Sequence, residues 1–183
     1  MKKYLFLFCL TFFKPTFSAK ANCDSWFSWF KPICTHTHDI LANGSNDLYI
    51  PLYAWHNRAT YPKEKTDRYN EFAAGAGFGK GLYNERGNWE GLFAMAFLDS
   101  HKNIEPAVGY GYLFTKHANQ DFKLGFGPAL FITARPDIFN NIPFPALLPW
   151  FNLTYKRATL SATYIPGARN AGNVLFVVSR WRL

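Results

Sequence analysis

Beyond its N-terminal segment, this 183-residue chain has no run of 18 consecutive apolar residues. A helix that crosses a bilayer needs about 20, so a helical membrane protein is excluded. Cysteine is scarce: there are three, Cys9, Cys23 and Cys34, in no Cys-x-x-Cys spacing. His-x-x-x-His is missing too, so no zinc-type ligand set is signalled. His36 and His38, with Asp39 and Cys34 nearby, read as solvated loop histidines. Acidic residues are also few, 12 against 20 Lys and Arg, for a formal net charge of +8.

Much of that basic excess sits at the N terminus. The chain opens M-K-K-Y-L-F-L-F-C-L-T-F-F, two lysines before an apolar run too short to span a bilayer, with Ala19-Lys20-Ala21 as a small-x-small cleavage site. Residues 1–21 read as a secretory signal peptide. Asn22-Cys23 suggests a lipoprotein site instead, but Lys20 suits it poorly. Removing Lys2, Lys3, Lys14 and Lys20 takes the charge from +8 to +4. The remainder fits an anionic neighbour such as a lipid headgroup and does not call for nucleic acid. The mature part, 22–183, suffices for one domain. Cys23 and Cys34 would meet an oxidising compartment. On one continuous helix they stand roughly 16 Å apart at 1.5 Å per residue, too far to bridge. Pro32 could end that helix first, so their pairing stays open.

What the chain has in excess is aromatic residues, 19%, which a lipid-facing strand and its interfacial girdle require. The first cluster follows the signal. Asp24 is a fair N-cap, and Trp26, Phe27, Trp29 and Phe30 share a helical face. This predicts a short amphipathic helix over 22–34 lying in the membrane interface, closed by Pro32; a plug in a core is the other reading. A polar connector over 35–46 follows.

From residue 47 the period becomes two. The stretch 88–114 carries the pattern best. Trp89, Gly91, Phe93, Met95 and Phe97 alternate with Glu90, Leu92, Ala94, Ala96 and Leu98; Ile104, Pro106, Val108, Tyr110 and Tyr112 alternate with Glu105, Ala107, Gly109, Gly111 and Leu113. We expect large groups outside against lipid and small ones inside. In the first strand, Tyr49, Pro51, Tyr53 and Trp55 are expected outward, and Leu48, Ile50, Leu52, Ala54 and His56 inward. Eight such segments occur, at about 47–56, 73–82, 89–98, 104–114, 122–135, 146–154, 158–165 and 174–183. The predicted fold is all-β: an eight-stranded antiparallel transmembrane β-barrel, with an interior wide enough for side chains or one slender ligand. Four longer loops begin near His56, Ser100, Arg135 and Pro166, all at one end.

That placement brings His56, Asp99 and Ser100 to the same rim, although they are distant in sequence. A base, an orienting carboxylate and a hydroxyl are what acyl transfer uses. Asp-Ser is also a common turn dipeptide, so the constellation alone leaves both readings open. Pro51, Pro106, Pro149 and Pro166 lie in or at the ends of strands, where proline cannot donate to the ladder. Either they end the hydrogen bonding at the rim, or Pro149 and Pro166 weaken one seam and let a lipid tail in sideways.

Longer strings decide between these. D-L-Y-I-P-x-x-x-W-H, Y-x-K-E-K-T-D-R-Y-N-E, G-N-W-E-G-L-F-A-M-A-F-L-D-S, E-P-A-V-G-Y-G, L-L-P, T-Y-I-P-G and G-N-V-L-F resemble the lipid A palmitoyltransferase family, the PagP-like outer-membrane acyltransferases, over about 47–183. The resemblance implies transfer of a palmitoyl chain from a glycerophospholipid to lipid A in the outer membrane of a Gram-negative bacterium, by a monomer with no cofactor. It implies His56 as general base or acid, Asp99 as its electrostatic partner and Ser100 as the participating hydroxyl. Gly111 matches the glycine at the floor of the family's acyl pocket, and Pro149 and Pro166 match its lateral gate. A second family seam has one proline matching Pro51, but Phe72-Ala73 stands where its partner falls. The competing expectations are a non-enzymatic adhesin or structural barrel, and a soluble lipocalin-like carrier, which the outward aromatic rows disfavour.

Overall fold

The computed structural model describes residues 23–25, 27–29 and 31–183; the expected signal segment 1–21 lies outside them. Eight strands, β1 (Ser45–His56), β2 (Gly75–Tyr83), β3 (Trp89–Leu98), β4 (Ile104–His117), β5 (Phe122–Thr133), β6 (Phe144–Tyr155), β7 (Ala158–Ile165) and β8 (Val174–Arg182), pair antiparallel in sequence order. Pairing of β1 with β8 closes the barrel. Closure leaves no edge, the condition for placing strands in hydrocarbon. The outer wall is apolar, with Ile104, Val108, Phe114, Leu130, Ile132, Leu147, Phe151 and Leu160 exposed. No helix among the described residues is long and apolar enough to cross a membrane.

One end carries tight turns at 84–88, 118–121 and 156–157, the first relying on Gly87 at φ +76°. The other end carries the loops 57–74, 99–103, 134–143 and 166–173, the first including a short helix α2 (Lys63–Thr66). These loops are tied together: Asn57 N–H donates to Asn173 O, Asn70 N–H to Ser100 O, and Tyr61 OH to Gly172 O. The four rim loops thus share one end, as the strand order requires.

Four expectations are corrected. In β3 the large row, Trp89, Phe93, Met95 and Phe97, is buried in the lumen, while Ala94 and Ala96 face out. In β4 the expectation holds, with Ile104 and Val108 outward and Ala107, Gly111 and Leu113 inward. Alternation fixes which residues share a face. Size does not say which face is inside when a narrow lumen must also be filled.

In β1 a bulge intervenes. Pro51 pairs with Val178 and Tyr53 with Val177, so Leu52 is an extra residue. Before it Asp47, Tyr49 and Pro51 face the lumen; after it Ala54 and His56 do. Tyr49 is therefore interior, not lipid-facing as expected, while Tyr53 is exposed.

The expected short N-terminal helix is present, but its described span starts later than 22–34. A 3-10 turn spans Cys23–Ser25, and the helix α1 is Lys31–Asn43, covering most of the expected connector. Pro32 opens this helix instead of closing the predicted one, because a first-turn residue needs no N–H. Cys23 and Cys34 thus lie on separate segments, 5.8 Å apart at Cα, and are joined as a disulfide; the 16 Å separation assumed one unbroken helix. α1 packs on the outside of β2 and β3 near the turn end. Ile40 is buried there, and Lys80 Nζ donates to Leu41 O at 2.6 Å. His36, expected in a solvated loop, sits on α1 with Nδ1 3.3 Å from the buried Glu90 carboxylate. His38 lies on α1 as well.

The lumen has two halves. Toward the turn end it is polar: Arg180 Nη1 is 3.2 Å from Asp47 Oδ2, its guanidinium lies 4.1 Å over the Trp89 ring, and Thr154 and Thr159 hydrogen bond at 2.9 Å. A recess of about 220 Å³ remains among them. Phe93 marks the boundary, stacked on Trp150 with centroids 5.2 Å apart and flanked by Tyr49 and Phe131. Toward the rim the lumen opens.

Candidate active site

The bulge in β1 delivers His56 into the lumen at the strand's last residue, where it is buried. Ser100 comes from the first position after Asp99 at the top of β3. Its Oγ lies 2.9 Å from His56 Nε2. On the other side of the imidazole, Nδ1 is 3.2 Å from Glu71 Oε1. The rim loop 57–74 supplies Glu71 as it doubles back to bridge Phe72 to Tyr53. Ser100, His56 and Glu71 therefore form a hydrogen-bonded row.

Glu71 is held by four donors. Besides the imidazole, His56 N–H reaches Oε1 at 3.0 Å, Tyr53 OH reaches Oε2 at 2.6 Å, and Arg58 binds both oxygens at 2.6 and 2.8 Å. Burial opposes ionisation of this carboxyl, but the bonds from Arg58, the His56 N–H, Tyr53 and the imidazole outweigh it and bring its pKa down to about 2. An ionised carboxylate only accepts, so His56 presents Nδ1–H to Glu71 and its Nε2 lone pair to the Ser100 hydroxyl. Tyr69 and Tyr61 flank the ring at 4.6 and 5.2 Å between centroids.

Asp99 does not join this row. Its Oδ1 accepts the backbone N–H groups of His101 at 2.8 Å and Asn103 at 2.7 Å, and Arg135 Nη2 lies 4.0 Å from Oδ2. Arg135 is itself pinned by Glu105 at 3.3 Å and Asp137 at 2.9 Å. Asp99 shapes the turn that presents Ser100. The carboxylate beside His56 is Glu71, missed in the sequence because it lies outside the strand pattern. Its one signal was the Y-N-E end of a motif string.

Below the row lies a chamber of about 350 Å³, within the range of small-molecule sites and room for one chain. Apolar side chains line its depth, among them Met95, Phe97, Phe131, Leu148, Trp150 and Phe176. Gly111 does not line it. That residue pairs with Gly91, beyond Phe93, and a Cβ built on it would meet Trp89 at 3.2 Å. The expected floor glycine thus sits deeper than the chamber reaches.

Two seams differ. β6 and β7 pair from Tyr155↔Ala158 only as far as Trp150↔Thr163. At Pro149 the ladder stops, and Thr163 Oγ1 donates to Pro149 O instead. From there to the rim β6 and β7 are unpaired, with Leu148 and Ile165 lining both the gap and the chamber. Pro166 directly follows the end of β7. β1 and β2 pair only from Ser45↔Gly81 to Tyr49↔Gly77. That seam is resealed at the rim, where Ala73 N–H donates to Leu52 O and Ala54 N–H to Glu71 O.

Residues 36–180 match the family model described as "Antimicrobial peptide resistance and lipid A acylation protein PagP". The chain belongs to the PagP family. A Legionella pneumophila protein named "Lipid A acyltransferase PagP" is 52% identical over 163 residues, 89% of this chain and 87% of its own length. One of the same name from Bordetella pertussis (strain CS) is 47% identical over 170 residues, 93% of each chain. A third, from Legionella longbeachae serogroup 1, is 50% identical over 162 residues, 87% of this chain and 70% of its own. The PagP match covers seven strands, most of β8, and all three rim residues singled out from the sequence.

Proposed function

We propose that the protein is an acyltransferase of the Gram-negative outer membrane that moves a palmitoyl chain from a glycerophospholipid to lipid A, as a monomer and without a cofactor. The donor tail slides through the unpaired rim half of the β6–β7 seam, beside Pro149 and Pro166, and lies in the apolar chamber. Its ester then rests at the rim beside Ser100.

Ser100 Oγ attacks the ester carbonyl while His56 Nε2 takes the hydroxyl proton. The carbonyl–glycerol bond breaks, and the imidazolium returns that proton to the departing lysophospholipid oxygen. A lipid A hydroxyl then attacks the acyl-serine, His56 takes its proton, and the proton passes back to Ser100 Oγ. Protons balance and no redox step occurs. Glu71 keeps Nδ1–H fixed and stabilises the imidazolium. Asp99 holds the turn and the approach of Arg135.

The reading rests on one observation: a serine hydroxyl 2.9 Å from a histidine nitrogen, at the mouth of an apolar chamber. Purified protein incubated with labelled phospholipid and lipid A is expected to yield acylated lipid A and lysophospholipid. With donor alone, intact-mass spectrometry is expected to detect the acyl-protein, lost in Ser100→Ala. Full transfer by Ser100→Ala would overturn the assignment.

A further inference from the structure

The chamber ends on an aromatic layer well above Gly111. Met95 lines its lower part, and Gly91, the partner of Gly111, is four residues further along β3. At about 3.4 Å per residue and a tilt near 40°, that places Gly111 roughly 10 Å deeper along the barrel. The intervening bore is occupied by the Phe93–Trp150 stack and then by Trp89, all buried.

Trp150 is also the residue beside which a tail would enter. Its pairing with Thr163 is the last rung of the β6–β7 ladder, directly beneath the unpaired stretch. A chain passing between Leu148 and Ile165 meets the indole at once. The indole Nε1 is buried and has no hydrogen-bond partner, so packing alone holds the ring in place.

We infer that Trp150, stacked on Phe93, sets the length of acyl chain this protein accepts, with the Trp89 ring lying against Gly111 a second stop reached only when the Trp150 indole is moved aside. This rests on the acyl-transfer reading of the rim. The two stops lie in series, which fixes the pattern of substitution effects. Shortening Trp150 deepens the chamber toward Gly111. Filling Gly111 with a larger side chain acts only once the first stop is gone.

The test uses phosphatidylethanolamine donors with matched chains from lauroyl to stearoyl, lipid A as acceptor, and mass spectrometry of the product. Trp150→Leu is expected to lose roughly tenfold or more of the discrimination against the next longer chains, the scale of one or two methylenes in an apolar pocket. Gly111→Met alone is expected to leave the length profile of the unsubstituted protein in place. Combined with Trp150→Leu, it is expected to shorten the profile again. A profile unchanged by Trp150→Leu, or shortened by Gly111→Met alone, overturns the inference. Phe93→Leu serves as a second floor variant if Trp150→Leu does not fold. Fatty acids of the same lengths bound to Ser100→Ala, followed by native mass spectrometry, read the floor without chemistry. Absence of transfer from every donor by the unsubstituted protein would therefore count against the acyltransferase reading and leave this one measurable.

Discussion

Above Phe93 the lumen is hollow and apolar; below it the same eight strands enclose an ion pair, threonine hydroxyls and a guanidinium over an indole. The hollow half gives up packing contacts that a core would normally supply. The filled half and the α1 strap supply cohesion at the other end. The larger, apolar void sits at the rim end and the polar cross-links at the other, so vacancy and cohesion are divided along the axis.

Substitutions in the two halves should therefore fail differently. Ser100→Ala should give the largest effect, a loss of transfer of about 10³-fold or more, with an unchanged unfolding midpoint. A variant equally active, or one that unfolds early, would blur the division. Arg180→Ala leaves Asp47 buried without its cation and should cost about 3–5 kcal/mol of stability, while the folded fraction keeps its turnover per molecule. Denaturant unfolding in detergent measures this; lost turnover in fully folded protein would place the polar half in the chemistry.

Glu71→Gln keeps the shape of the row but removes the charge opposite the imidazole. Transfer should fall on the order of 10²-fold, within the range for proton-transfer partners. Its stabilising contribution also has a defined pH window. The bonds to Glu71 hold its folded pKa down to about 2, against an ordinary 4.5. The contribution is full above the ordinary value and disappears as pH falls through the folded one. Glu71→Gln should flatten that acid limb of the stability curve, and an unaltered limb would count against the carboxylate's place in the row. Cys34→Ser should have the smallest effect, a loss of about 2–3 kcal/mol at most, set by a short closed loop, with turnover intact.

Strand count, the shared rim and the nearness of His56 to Ser100 were legible in the sequence, because period-2 alternation and turn spacing encode them locally. The inside of the barrel was less so. Lipid and lumen both accept large apolar side chains, so the Trp89–Phe97 row gave no sign of direction. Beyond the Y-N-E string nothing marked Glu71, because its position depends on a loop folding back across β1. Pro32 was read as a stop when it was a start, since both roles use the same missing N–H. Gly111 was expected at the pocket's floor, yet the ring that closes the chamber belongs to Trp150, on a distant strand.

Leu52 carries one more consequence. Strict alternation from Asp47 would aim Ala54 and His56 at the hydrocarbon, and a single surplus residue reverses the parity of everything after it. Deleting Leu52 would remove the surplus itself, and plain alternation from Pro51 would then still turn Ala54 and His56 inward; straightening the bulge without deleting a residue would instead strand the imidazole among lipid tails. The length of this strand and the presence of its bulge are therefore tied, and neither can change by one residue without the other.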